Sequence, residues 1–306
     1  MTGTTAERLI VVGVDTSQAC LPAARWAAME AVRTGATLKL FHASVFWIDD
    51  QVPAHDGSDA DQEMLMEQGF LWVHRAAGAA SAAAPEVRIE NVVRLGLAVD
   101  MLVAESAGAD MIVLGSHGIG GLRGVMTGSV SLRVAAEALC AVVVVRGSAP
   151  PPHGPVVVGV DATVGSDCAV EFAIEAAVAR EVPLLALHAW HDALLDPELI
   201  ATVEDTRQRR ALEHRMTAWA AKYPGVDIRL HSVRSRHPAR ELLRIAPDAQ
   251  LIVVGSRRRG PVAGGLLGST GNFLVSHSAC AVAIAHHREP PVRSRWSVAR
   301  HSGALR

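Results

Sequence analysis

The chain repeats itself, and that repeat limits the folds open to it. Residues 8 to 15, RLIVVGVD, and 154 to 161, GPVVVGVD, are each an apolar run that ends in an aspartate. The match continues at a separation of 146 through Trp26-Ala27 and Phe172-Ala173, and through Leu40-Phe41-His42-Ala43 and Ala186-Leu187-His188-Ala189. Further on the separation is 140, in Val93 and Val233, Leu102 and Leu242, Gly115 and Gly255, Gly128 and Gly268, Ser129 and Ser269, and Cys140 and Cys280. The six-residue difference falls after the second apolar run, so the first copy carries the longer loop there. A chain of 306 residues, half of them apolar, has room for two domains of this size, each with its own core.

Each copy alternates short apolar runs with helical patterns, which predicts a parallel sheet covered by helices on both faces. In the first copy the strands are expected near 8–14, 37–43, 87–94, 111–115 and 141–146, and the helices near 18–34, 60–80, 97–107 and 129–138. The first helix sets Ala24, Ala27, Ala28 and Ala31 beside Trp26 as a close-packing face, and Gly35 ends it. In the second copy Asp196-Pro197 reads as a helix start, with Val203, Leu212, Met216, Trp219 and Ala220 as the buried face. The last run of each copy, AVVVV at 141–145 and AVAIA at 281–285, reads as an uncovered edge that invites pairing. The expected division is a first domain at 1–148, a proline-rich linker at 149–154, a second domain at 155–287 and a basic disordered tail at 288–306.

The chemistry concentrates between Met111 and Val145. There a buried strand runs into a loop with Gly115, Gly118, Gly120, Gly121, Gly124 and Gly128, and a helix follows from Ser129. Glycines let backbone approach an anion closely, and the free N–H groups of a helix start point at it. The loop is not a Walker sequence, since no Gly-Lys-[Ser/Thr] occurs and the only lysines are Lys39 and Lys222. Nor is it a dinucleotide fingerprint, since Arg123 stands where the third glycine belongs. In a doubly wound sheet ligands bind beyond the carboxyl ends of the strands, and Asp15, Ala43 and Gly115 stand at such ends.

Gly115, Gly118, Gly128 and Ser129 have the spacing G-x2-G-x9-G-[ST], which resembles the nucleotide-binding signature of the universal stress protein family. The resemblance covers residues 8 to 146 and 154 to 287, and so implies a tandem protein of two Rossmann-like α/β domains, each with a five-stranded parallel sheet. It implies an ATP site in which Asp15 lies near ribose and phosphates, the backbone of Ala43 contacts adenine, and Gly115, Gly118, Gly128, Ser129 and Val130 surround ribose and polyphosphate. Mg2+ bridging the phosphates would ease the closeness of Asp15 to negative charge. The family uses the last strand for dimer contact, which implies a pseudo-two-fold pair within the chain and leaves a further homodimer open. In the second copy the corresponding contacts are Asp161, Ala189, Gly255, Gly268, Ser269 and Thr270. There Arg258 replaces Gly118, and Arg236 is read as the counterpart of Gly96, so the second site is expected to be weakened or altered.

Composition narrows the alternatives. The net charge of −2 gives no broad attraction to nucleic acid or an anionic membrane. The apolar runs are short, and residues 1 to 7 lack the pattern of a secretion signal, so a cytoplasmic protein is expected. Four cysteines without CxxC spacing read as reduced, mostly buried thiols, and the histidines form no zinc pattern. The acidic loop WIDDQVPAHDGSDAD at 47–61 reads as a solvated lid, His42 and His188 as hydrogen-bonded structural histidines, and His286-His287 as solvent-facing. Beyond Asp15, no base, nucleophile or metal set completes an enzyme. The expectation is a nucleotide-dependent regulatory protein, with slow ATP hydrolysis at the same pocket and a nucleotide-free scaffold as the rivals.

Overall fold

In a computed structural model the described residues are 8–45, 59–116, 128–146, 153–161, 165–191, 199–245, 247–256 and 267–286. The first unit holds β1 (Leu9–Gly13), α1 (Cys20–Thr34), β2 (Thr37–Ser44), α2 (Asp59–Ala83), β3 (Ile89–Leu95), α3 (Ala98–Glu105), β4 (Met111–Gly115), α4 (Ser129–Glu137) and β5 (Ala141–Val145). The second repeats the order as β6 (Val156–Gly159), α5 (Gly165–Arg180), β7 (Leu184–Trp190), α6 (Leu199–Lys222), β8 (Ile228–Arg234), α7 (Pro238–Ile245), β9 (Leu251–Gly255), α8 (Ser269–His277) and β10 (Ala281–Ala285). Each unit is a parallel five-stranded sheet, ordered β3-β2-β1-β4-β5 and β10-β9-β6-β7-β8. Both are Rossmann-like, and the strand order reverses between β1 and β4 and between β6 and β9.

Alternate residues of each strand feed two cores. Ile10 and Val12 belong to the core under α1 and α2, which continues under α5 and α6 in the second unit, while Val11 belongs to the core on the other face, under α3 and α4 and continuing under α7 and α8. With both faces covered, the strands need unbroken apolar runs, which is why they were readable. The two sheets join where β10 pairs antiparallel with β5, Val282 opposite Val144 and Ile284 opposite Val142, giving one ten-stranded sheet. Every residue of both strands is buried. This also corrects the reading of His286, which is only 6% exposed. It leaves a central strand rather than an edge; His287 lies outside the described residues.

Helix α1 buries Ala24, Trp26, Ala27, Ala28 and Ala31 as expected, and Gly35 ends it at φ 66°. The N–H of Ala36 closes the turn on the Ala31 carbonyl at 2.8 Å. At the end of α5 the same turn recurs, Val182 N–H to the Ala177 carbonyl at 3.1 Å, but the left-handed residue there is Glu181 at φ 55°. A side chain in that region is strained. Glu181→Gly is therefore expected to stabilise the protein by about 1 kcal/mol in urea unfolding, with no gain from Glu181→Ala.

The repeats also differ where their strands begin. In the first unit the Asp110 carboxylate accepts from the Leu9 N–H at 2.8 Å. In the second, Pro155 takes the place of Leu9 and has no N–H to give. Gln250 stands at the position of Asp110 and donates its amide to the Gly154 carbonyl at 3.0 Å. The same junction is held with donor and acceptor exchanged.

One expected correspondence is off by a residue. His42 lies opposite Val93 and His188 opposite Ser232, so Ser232, not Val233, is the structural match of Val93. Gly96 N–H donates to the Ser44 carbonyl and Ser235 N–H to the Trp190 carbonyl, both at 2.9 Å. Ser235 rather than Arg236 thus answers to Gly96, and the turn from β8 to α7 carries one extra residue. That residue relieves the turn of the φ of 147° that Gly96 adopts. In α6 Leu212 and Met216 are buried and Trp219 half-buried, but Ala220 faces solvent because it lies a residue beyond the inward stripe. Asp196-Pro197, the acidic loop before Asp59 and the side chain of Val203 lie outside what the structure describes. The linker up to residue 152 and the tail also lie outside.

Candidate functional site

At the carboxyl end of β1 the chain turns through Asp15-Thr16-Ser17. The Asp15 Oδ1 accepts from the Ser17 N–H at 3.0 Å and from the Ser17 hydroxyl at 2.6 Å. Ser17 Oγ in turn accepts from the Ala19 N–H at 3.2 Å, just ahead of α1. This turn fixes the carboxylate at the mouth of the strand reversal, half-exposed. β4 ends beside it at Gly115, where a Cβ would sit 2.6 Å from the Ala19 carbonyl oxygen. Only glycine lets the end of β4 come this close to the start of α1.

The glycine-led helix completes that corner. The Gly128 N–H donates to the Ser116 carbonyl at 3.1 Å, and the Ser131 hydroxyl donates to the Gly115 carbonyl at 2.8 Å. These bonds seat the first turn of α4 against the end of β4. Gly128 occupies the N-cap at φ −57°, and no side chain caps the helix. The first backbone bond inside the helix is Leu132 N–H to the Gly128 carbonyl, so the amides of Ser129, Val130 and Ser131 precede it. A helix start without a capping side chain offers those N–H groups to an anion. Ser131 lies outside the G-x2-G-x9-G-[ST] spacing, and its only sequence signal is a small polar residue two places after Gly-Ser.

The histidines are structural in both units. His42 Nδ1 lies 2.8 Å from the Val14 carbonyl, and Val14 N–H donates to the Phe41 carbonyl. His188 and Val160 repeat this at 2.8 Å, with Val160 N–H bound to the Leu187 carbonyl. The pair of bonds fastens the end of one strand to its neighbour, setting Asp15 beside Ala43 and Asp161 beside Ala189.

Asp15, Ala43, Gly115, Gly128, Ser129 and Val130 thus gather around one strand reversal, while Gly118 lies outside the described residues. The second unit gathers Asp161, Ala189, Gly255, Gly268, Ser269 and Thr270 in the same way. Gly268 is again an N-cap without a capping side chain, and Ser256 N–H binds the Ala285 carbonyl as Ser116 binds Val145. Differences surround this frame. The Asp161 N–H donates to Ser166 Oγ at 3.0 Å, and Gly271 replaces the bridging Ser131. Where Gly69 of α2 comes so near that a Cβ would meet His42 at 2.9 Å, α6 instead places Gln208 Oε1 3.1 Å from His188 Nε2. Beyond the end of β7, Arg236 Nε donates to His191 Nε2 at 2.6 Å and the Arg234 guanidinium lies 5.9 Å from the Trp190 ring centre. Around His188 and the ends of β7 and β8 the second unit therefore carries polar and cationic groups where the first packs Gly69 against β2 and β3. Arg258 lies outside the described residues.

Burial raises the thiol pKa values of Cys20, Cys168 and Cys280, and nearby carboxylates push Cys20 and Cys168 further up. Such thiols stay protonated and are poor nucleophiles. A cavity of about 1050 Å³ opens between α1 and α5 at the amino ends of β1, β4 and β5, away from the first unit's strand reversal; because β10 runs antiparallel to β5, its lining also includes Ala285 and His286 at the carboxyl end of β10 and Asp167 and Cys168 at the start of α5. Among the described residues no group of three or more His, Cys, Asp or Glu is arranged to hold a metal. None of their helices is long and apolar enough to cross a membrane.

Residues 8–146 and 153–286 each match the model of the Universal stress protein family. Universal stress protein Rv2623 of Mycobacterium tuberculosis is 34% identical over 290 residues, spanning 90% of this chain and 95% of that protein. Universal stress protein Rv1996 of the same organism is 33% identical over 309 residues, spanning 92% and 96%. Among solved structures, a universal stress protein from Archaeoglobus fulgidus shares the fold with a TM-score of 0.69 at 19% identity, over 92% of this chain and 98% of that one. The repeat, the doubled doubly wound sheet and these matches lead to one conclusion: the chain belongs to the universal stress protein family and carries its domain twice.

Proposed function

We propose that the first unit binds ATP in the crevice between β1 and β4, and that occupancy regulates the protein's engagement of partners in a cytoplasmic stress response. The observation that carries this reading is the first turn of α4, which has no side-chain cap, seated on the end of β4 and next to the fixed carboxylate of Asp15. The amides of Ser129, Val130 and Ser131 would hold phosphate oxygens, and Asp15, with Oδ1 engaged by Ser17, would accept from a ribose hydroxyl. The backbone of Ala43 would read adenine. Mg2+ would offset the phosphate charge near Asp15, supplied with the nucleotide rather than held by a protein cluster. The second crevice keeps the frame but lacks the bridging hydroxyl of Ser131 and has polar and cationic groups at the ends of β7 and β8, and we read it as the weaker site. The β5–β10 junction is read as a built-in pseudo-dimer.

The test is acid extraction of the purified protein, to identify any nucleotide carried, followed by calorimetric titration with ATP. Asp15→Ala is expected to weaken binding about tenfold, the loss of roughly one hydrogen bond to a charged group. Gly128→Val should weaken it further by filling the approach to the amides, with the unfolding midpoint little changed because the φ of Gly128 suits any residue. Unaltered affinity in a folded Gly128→Val protein would remove the phosphate cradle from the reading.

A further inference from the structure

Helices α1 and α5 touch over the β5–β10 junction, and one buried ion pair crosses between them. Arg180 grips Glu30 with two parallel bonds, Nη2 to Oε2 at 2.7 Å and Nη1 to Oε1 at 3.2 Å. The side chains are 3% and 4% exposed. Arg180 Nη1 also donates to the Ala176 carbonyl at 3.0 Å, and its guanidinium lies 5.7 Å from the Trp26 ring centre. Burial lowers the pKa of this arginine, and the charge of Glu30 opposes that shift.

The repeat makes the pair one-sided. At the separation of 146, Glu30 corresponds to Ala176 and Thr34 to Arg180. The two-fold mate of the ion pair is thus Ala176 opposite Thr34, which carries no charge. The Thr34 hydroxyl is satisfied within its own helix, donating to the Glu30 carbonyl at 2.8 Å. The strands beneath are wholly apolar and offer no means of choosing between copies.

We infer that the Glu30–Arg180 pair makes the junction heterotypic, so that the junction face of a first unit accepts a second unit and rejects another first unit. Two first units joined in this way would bury two carboxylates against threonine, each left with only the partly exposed Arg33 of its own helix at 3.4 Å. Two second units would bury two guanidinium groups against alanine. A buried charge that loses its cross-junction partner is costly, and two like charges brought together add repulsion, so both like-with-like arrangements are disfavoured whether the crevices are filled or empty. The surface selects a partner with an apolar edge strand, antiparallel to β5, flanked by an arginine-bearing helix.

The test uses the full chain and the variants Glu30→Arg, Arg180→Glu and their combination. Each single variant is expected to melt roughly 5–10 °C below the parent, and the combination to recover more than half of the summed loss. The two single variants, one labelled with 15N, are then unfolded and refolded together. The reversed charge at 30 in one chain can meet the reversed charge at 180 in the other, while the unaltered Glu30 and Arg180 meet across the reciprocal junction. A mixed dimer enriched over either self-association is therefore expected by native mass spectrometry, with a melting point close to that of the parent. A single variant that does not fold while the combination does is equally a supporting result. Parental midpoints in the single variants, a combination no more stable than the worse of them, or no enrichment of the mixed species would each overturn the inference.

Discussion

Gly154→Ala is expected to destabilise the second unit by about 3 kcal/mol or more in urea unfolding. Gly154 is buried where the chain enters β6, and a methyl group there would overlap the carbonyl oxygen of Asp248. Relief requires moving either β6 or the turn into β9, and both are tied: Gln250 N–H binds the Pro155 carbonyl at 3.0 Å and the Gln250 side chain binds Gly154 itself. Displacing the strand therefore breaks bonds as well as packing. His153 is exposed, and His153→Ala should leave the midpoint unchanged. If both variants unfold at the parental midpoint, the entry to β6 is looser than these contacts require.

Gly115→Ala should cost the first unit about 2–3 kcal/mol and its nucleotide affinity as well. The added carbon meets backbone on the far side, the carbonyl carbon of Ala19 at 2.9 Å as well as its oxygen, so no side chain can swing away. The segment that must yield carries Asp15 and Ser17, and the carbonyl of Gly115 anchors Ser131. Carboxylate and helix start would be pushed apart by one substitution. Urea unfolding with ATP titration separates the two effects. A variant that lost stability but bound ATP as the parent does would place the ligand away from this corner.

The strands could be read from sequence because a sheet covered on both faces writes itself as unbroken apolar runs, and the duplication confirmed each run by a second copy. The site frame was legible for a related reason. Asp15, Ala43, Gly115 and Gly128 sit at strand ends and a helix start, positions that the element pattern fixes. Other features depend on register. Arg236 was matched to Gly96 because a single extra residue between β8 and α7 is invisible when the chance identity of Val93 and Val233 carries back into the strand the separation of 140 that holds only from the helix onward, as at Leu102 and Leu242. Glu181, by contrast, could have been found by carrying Gly35 forward 146 places. The Glu30–Arg180 pair joins residues 150 apart on different units, and no local pattern announces such a contact.

The exchanged hydrogen bonds at the strand entrances bear on how the duplicated gene keeps its halves distinct. Recombination between neighbouring copies tends to make them alike, yet here the pieces are not interchangeable. A crossover that set the proline of one half against the aspartate of the other would leave a carboxylate facing a bare carbonyl, about 2 kcal/mol worse than either parent arrangement. Chains homogenised at that point would fold less well and be removed, so divergence between the two crevices could accumulate behind this small barrier.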